Sequence, residues 1–213
     1  MWFICDLSGA PVLCGASWGG NEFTPVTGDF DSDGIMDLAV YHSKTGNWYI
    51  RTLSGSLILW DTTWGGEGFI PVWGDYNGDG QDDLAVYQKE TGAWFIETVA
   101  GNILAWNALW GGHDFTPVGG DYNGDGKADL ALYESGYENW YIYSLTGSVI
   151  LWANYWGGTE DFTPVPGDYD GDGIADLALY HEDSGFWFII SVQGNLITLG
   201  AYWGGEGFKP VPG

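Results

Sequence analysis

Carboxylates recur at fixed spacing along this chain. Asp168, Asp170, Asp172 and Asp176 occupy positions 1, 3, 5 and 9 of a nine-residue stretch with Gly173 at position 6. The same pattern appears at Asp29, Asp31, Asp33 and Asp37, at Asp75, Asn77, Asp79 and Asp83, and at Asp121, Asn123, Asp125 and Asp129. Alternating oxygen donors on a tight turn suit a hard cation such as Ca²⁺, which gathers six to eight oxygens at about 2.3–2.6 Å. The glycine lets the backbone take a conformation that a side chain would obstruct. An EF-hand would need a bidentate Glu at position 12. Val40, Val86, Leu132 and Leu179 stand there, so that reading fails.

Composition agrees with the loops. The formal charge is −24, and 14 of the 29 acidic residues fall at these positions. Four bound Ca²⁺ would bring the charge to about −16. Without metal the clustered carboxylates repel one another. Lys and Arg total five, which argues against nucleic acid and against anionic membrane surfaces. No apolar run is long enough to span a bilayer, so membrane insertion is not expected. Trp2-Phe3-Ile4 already belongs to the repeat described next, so no signal peptide is read there.

The elements that must position these loops repeat with them. Trp-Gly-Gly begins at Trp18, Trp64, Trp110, Trp156 and Trp203, at intervals of 46, 46, 46 and 47 residues. Each is followed by Pro-Val, and in the first four units by the acidic loop, Asp-Leu-Ala-(Val/Leu)-Tyr and an aromatic pair with Ile. Each unit reads as four short strands: A (25–30 in the first unit), B (38–42), C (48–53) and D (57–62). A unit of about 46 residues with four strands is a propeller blade. A β-sandwich would not need one unit copied so faithfully. The units are 18–63, 64–109, 110–155 and 156–202, with partial units at 1–17 and 203–213, all in one domain.

The run from Gly74 to Ala85, with its counterparts, resembles the FG-GAP/VCBS repeats of integrin alpha-subunit propellers and many bacterial extracellular proteins. The resemblance covers essentially the whole chain. It implies a Ca²⁺-binding all-β propeller, about four ions, and an extracellular or periplasmic setting. It also implies that the backbone carbonyls of Ile35, Gln81, Lys127 and Ile174 serve as ligands at position 7. The Phe-Gly and Gly-Ala-Pro signatures that name the family are replaced here by Gly-Phe-x-Pro-Val or Asp-Phe-Thr-Pro-Val.

The repeat breaks at its ends. Residues 1–17 match strands C and D, and 208–213 match strand A, so both termini belong to a fifth unit lacking its acidic loop and strand B. Five blades in one chain, pairing between chains into a ring-like homo-oligomer, and excision from a longer propeller are the three readings; closure favours the first. Gly9-Ala10 matches Gly55-Ser56, read as a two-residue hairpin turn. That register sets Cys5 opposite Cys14, as it would Arg51 opposite Trp60. A disulfide and two free thiols are both compatible with it.

Catalysis is not expected. His42 and His181 share a repeat position held elsewhere by Gln88 and Glu134, and no nucleophile matches them or His113. The Trp-Gly-Gly tryptophans are expected to pack between blades. Trp60, Trp106 and Trp152 lie on outer strand D and are expected to be exposed. The chain therefore reads as a non-enzymatic binding or scaffold module for a protein or carbohydrate. The alternatives are a multivalent carbohydrate-binding propeller and a module of a polysaccharide-degrading enzyme.

Overall fold

The computed structural model describes residues 1–5, 11–158 and 162–210, with the side chains of Cys5 and Pro11 outside that set. No helix forms among the described residues. Runs of Val, Leu, Ile, Tyr and Trp between Gly- and Asn-bearing turns favour strands. The first is a hairpin of β1 (Trp2–Cys5) and β2 (Pro11–Ala16). Four antiparallel sheets of four strands follow. Blade 1 is β3 (Phe23–Gly28), β4 (Asp37–His42), β5 (Asn47–Arg51) and β6 (Leu57–Thr63). Blade 2 is β7 (Phe69–Val72), β8 (Leu84–Gln88), β9 (Ala93–Glu97) and β10 (Ile103–Leu109). Blade 3 comprises β11 (Phe115–Val118), β12 (Leu130–Glu134), β13 (Asn139–Tyr143) and β14 (Val149–Tyr155). Blade 4 comprises β15 (Phe162–Pro164), β16 (Leu177–His181), β17 (Phe186–Ile190) and β18 (Leu196–Tyr202). β7 touches both β3 and β11, so the first strands of blades 1 to 3 gather side by side.

The second strands are apolar on both faces because both are covered. Ala39, Tyr41, Trp48 and Ile50 of blade 1 pack against Leu84 and Val86 of blade 2. Blade 2 presents Ala85, Tyr87, Trp94 and Ile96 to Leu130 and Leu132 of blade 3, and blade 3 meets Leu177 and Leu179 of blade 4 likewise. The hairpin sits behind blade 1, with Trp2 against Leu38 and Val40. The fully buried Trp48, Trp94 and Trp140 each donate an indole N–H to the carbonyl of the next Trp-Gly-Gly tryptophan, at 3.1, 2.9 and 3.2 Å. Tyr87 clamps the same turn, its hydroxyl 2.7 Å from both the Gly112 carbonyl and N–H. Gly111 between them has φ +116°, and a Cβ there would lie 2.5 Å from the Tyr87 hydroxyl. Only glycine fits.

Two expectations change. The C–D turn is not a two-residue turn. Residues 52–56 form it, with Thr52 N–H bonded to Ser56 O and the Thr52 hydroxyl accepting from Ser56 N–H. Trp60 therefore pairs with Tyr49, and Arg51 with Leu57. In the hairpin Phe3 pairs with Cys14 and Cys5 with Pro11, so the two cysteines are not opposite. Cys14 is exposed; a Cys5–Cys14 disulfide lies outside the described residues. The second change concerns the fifth unit. Residues 208–210, expected as its strand A, form no strand, and the strands described in that unit are β1 and β2 alone. Trp203 is 59 % exposed, whereas Trp18, Trp64, Trp110 and Trp156 are half-buried between blades, as expected for those four.

Candidate metal centres

Each acidic loop joins the first strand of a blade to its second, so the sheet edge fixes both ends. Asp37, Asp83, Asp129 and Asp176, at position 9, begin or abut the buried second strand and are each 1 % exposed. One oxygen of each accepts the N–H of position 2: Phe30, Tyr76, Tyr122 and Tyr169 donate at 2.8–2.9 Å. Position 1 holds the loop's own turn together. Asp75 accepts N–H bonds from Gly78 at 2.6 Å and Gly80 at 2.7 Å; Asp29, Asp121 and Asp168 act alike. Position 5 accepts the N–H of position 7, as Asp33 does from Ile35 at 2.8 Å and Asp79 from Gln81, Asp125 from Lys127 and Asp172 from Ile174 at 2.9–3.0 Å. The Asx turn at position 5 leaves the second carboxylate oxygen for another partner, whereas at position 1 both oxygens already accept N–H groups.

Convergence differs between loops. In the first and fourth, the carboxylates of Asp29, Asp31 and Asp37 and of Asp168, Asp170 and Asp176 each come within 4.8 Å of one another. Asp33 and Asp172 stand outside these tight groups. In the second and third loops Asn replaces Asp at position 3. The Asn123 amide donates to Asp129 at 3.1 Å, and Asn77 to Asp83 at 3.5 Å. Turned by half a rotation, either amide offers its oxygen instead. The donors in every loop are oxygens, with no His or Cys among them, and hard oxygen sets suit Ca²⁺ rather than zinc or copper. On donor chemistry the residues fit the ion.

Burial pushes the position 9 carboxyls up, with neighbouring loop carboxylates adding to the effect: Asp37 and Asp176 to about 6, Asp83 and Asp129 to about 7. A carboxyl raised in the folded state holds its proton longer there than in the unfolded chain. Its contribution to stability is present at low pH and is lost as pH rises through the folded value. Metal-stripped protein should therefore melt several degrees higher at pH 5 than at pH 8. A higher melt at pH 8 would contradict this placement of the four carboxyls. If the loops hold Ca²⁺, excess Ca²⁺ should reverse the order, because protons compete with the cation.

Asp82 was not singled out by the spacing. It is buried, its carboxylate accepts the Asp29 N–H at 2.7 Å, and burial lifts it to about 7. It lies at loop position 8, where Met36, Ala128 and Ala175 stand in the other repeats. The Asp82-Asp83 doublet was the available signal. Position 8 also links the loops. The N–H groups of Asp82, Ala128 and Ala175 donate to the carbonyls of Asp29, Asp75 and Asp121 in the preceding blade, at 2.8, 2.6 and 2.7 Å.

Two of the three histidines close turns. His42 and His181 each accept, through Nδ1, the N–H three residues on, closing the turn between second and third strands. Gln88 meets Thr91 at the same place in blade 2.

A sequence profile of FG-GAP-like repeats matches residues 29–86 and 121–179, more than half of the chain and all four loops. The chain belongs to the FG-GAP-like repeat family. No curated protein is similar enough in sequence to count as a match. Among solved structures, a protein of unknown function from Bacteroides caccae superposes with TM-score 0.53 at 11 % identity, over 90 % of this chain and 65 % of that one. This FG-GAP-like propeller thus spans about two-thirds of that neighbour's length, and the likeness is one of fold. The V. cholerae biofilm matrix protein Bap1 aligns with TM-score 0.40 and 16 % identity, over 81 % of this chain and 27 % of that one. BBS1N, solved in complex with ARL6DN, aligns with TM-score 0.42 and 13 % identity, over 83 % and 67 %.

Proposed function

We propose that this FG-GAP-like propeller is a calcium-stabilised, non-enzymatic binding or scaffold module that works outside the cell. The observation that carries the reading is the buried position 9 carboxylate of each loop, which in the first and fourth loops converges with two further carboxylates. Four such groups without a cation disfavour the folded chain; with one they fix the crossing between first and second strands. Asp29, Asp31, Asp33 and Asp37, with their counterparts in the other loops, would hold the ion together with the position 7 carbonyls of Ile35, Gln81, Lys127 and Ile174. The ion would supply charge neutralisation and a rigid turn. Millimolar extracellular calcium would suit loops of modest affinity. His42 and His181 serve as turn caps, which supports a non-enzymatic role.

Calorimetric titration of metal-stripped protein with CaCl₂ tests the claim, and about four ions per chain are expected. No heat and no uptake would refute it.

We further propose that the two ends share the position of a fifth blade. The hairpin already backs blade 1, and Lys209 and Pro210 line a cleft with residues 20–25 at the start of β3. Solution mass distinguishes closure within one 23.2 kDa chain from pairing between chains.

A further inference from the structure

Three tryptophans stand on the rim, one in each of the first three blades, and nothing in the fold requires them. Trp60, Trp106 and Trp152 are 61, 67 and 65 % exposed on the fourth strands β6, β10 and β14. Blade 4 carries Leu199 at the same position, 62 % exposed, in an equivalent strand. The sheet therefore forms without an indole there. Exposed tryptophans repeated at one register position mark an interaction surface more than scattered apolar residues do.

The rings are held in place. Trp60 stands edge-on to Tyr49 at 5.1 Å and 84°, with Trp18 at 6.2 Å behind it. Trp106 meets Phe95 at 5.1 Å and 89° and Trp64 at 5.9 Å. Trp152 meets Tyr141 at 5.5 Å and 85° and Trp110 at 5.9 Å. Two aromatic neighbours fix each indole, so little rotamer freedom remains to be lost when something stacks on it. Polar groups flank the first platform. Asp61 accepts from Asn47 and from the Tyr49 hydroxyl and keeps its carboxylate in solvent.

From these observations we infer that the three indoles form a multivalent stacking surface for a neutral polysaccharide. This rests on the binding-module reading above and names its ligand class and site. The flat apolar faces of pyranose rings match an exposed indole, and at the first platform their hydroxyls match the Asn47 amide and the Asp61 carboxylate. Three platforms a blade apart suit a polymer of repeating units, with avidity arising from linked weak contacts. The charge of −24 repels anionic polymers and also a second copy of the chain. Strand addition along the rim is obstructed as well. Asp61, Asn107 and Ala153 take positive φ of 61, 57 and 51° directly after the tryptophans, and the strands bulge there. A bulged edge does not template another strand.

The test is native affinity electrophoresis of the calcium-loaded chain in gels containing a mixed-linkage β-glucan, a galactomannan or dextran, with alginate as the anionic comparison. At least one neutral polymer should retard the chain, and alginate should not. The triple variant Trp60→Ala, Trp106→Ala, Trp152→Ala should bind at least about 100-fold more weakly. Leu199→Trp, which adds a fourth platform, should bind more tightly. It keeps the inference testable if the triple variant folds poorly by near-ultraviolet dichroism. Retardation by no neutral polymer, equal retardation of the triple variant, or self-association that disappears with the tryptophans would each overturn it. Calcium uptake is read separately, so a failed glycan experiment leaves the calcium-scaffold reading standing or falling on its own titration.

Discussion

Removing calcium should lower the melting temperature of this chain by about 20 °C or more. Each independent site contributes ~2.7 kcal/mol when free Ca²⁺ stands 100-fold above its dissociation constant. Four sites then supply on the order of 11 kcal/mol, comparable to the whole stability of an ordinary domain. For a chain of this length, 1 kcal/mol moves the melt by roughly 2–4 °C. The loops explain why the effect should be this large. Each encloses a buried carboxylate among other acidic groups, so on the proposed calcium reading stripping the ion would remove a ligand and restore repulsion in the same place. A calorimetric scan in CaCl₂ and in chelator at pH 8 measures it, and superimposable scans would remove calcium from the account of stability.

Trp94→Ala should cost about 3–5 kcal/mol, or roughly 6–20 °C in the calcium-loaded melt. The indole is completely buried at the junction of blades 2 and 3. It packs 5.2 Å from Tyr87 and donates to the Trp110 carbonyl at 2.9 Å. Truncation leaves a large cavity, and it strips a partner from the turn that leads into the next blade. Trp187 occupies the same place in blade 4, makes the same bond to Trp203 at 2.9 Å, and is only half-buried. Trp187→Ala should cost less than half as much. If the two variants melt alike, another surface covers blade 4 in solution. Trp106→Ala, on the rim, should change stability by no more than about 0.5 kcal/mol.

Much of this architecture was legible because the repeat copies whole strands. The 46-residue period, the acidic loop and the doubly apolar second strand each require a blade covered on both sides, and the blades form that way. The C–D register was misread because its cause is local. Thr52 ties the turn through its hydroxyl, and Asp61 takes positive φ within a strand. Both leave faint traces: Thr98, Ser144 and Ser191 repeat the hydroxyl, and Gly15 and Gly200 stand at the bulge. The gathering of the loop carboxylates was legible from spacing alone: Asp29, Asp31 and Asp37, like Asp168, Asp170 and Asp176, come together. Asp82 was not, because its partner Asp29 lies 53 residues away. The fate of the ends was the least legible, since a partial unit is equally compatible with several neighbours.

On the proposed calcium reading, the hydrogen bonds from position 8 of one loop to position 1 of the loop before it would have a consequence for how ions load. Sites wired only to their neighbours behave as a one-dimensional lattice, in which an occupied site makes the adjacent one easier to fill. Loops 2 and 3 are bonded on both sides, loop 1 through its Asp29 carbonyl and loop 4 through its Ala175 N–H. Filling should therefore start in the middle of the row and spread outward, and emptying should begin at its two ends.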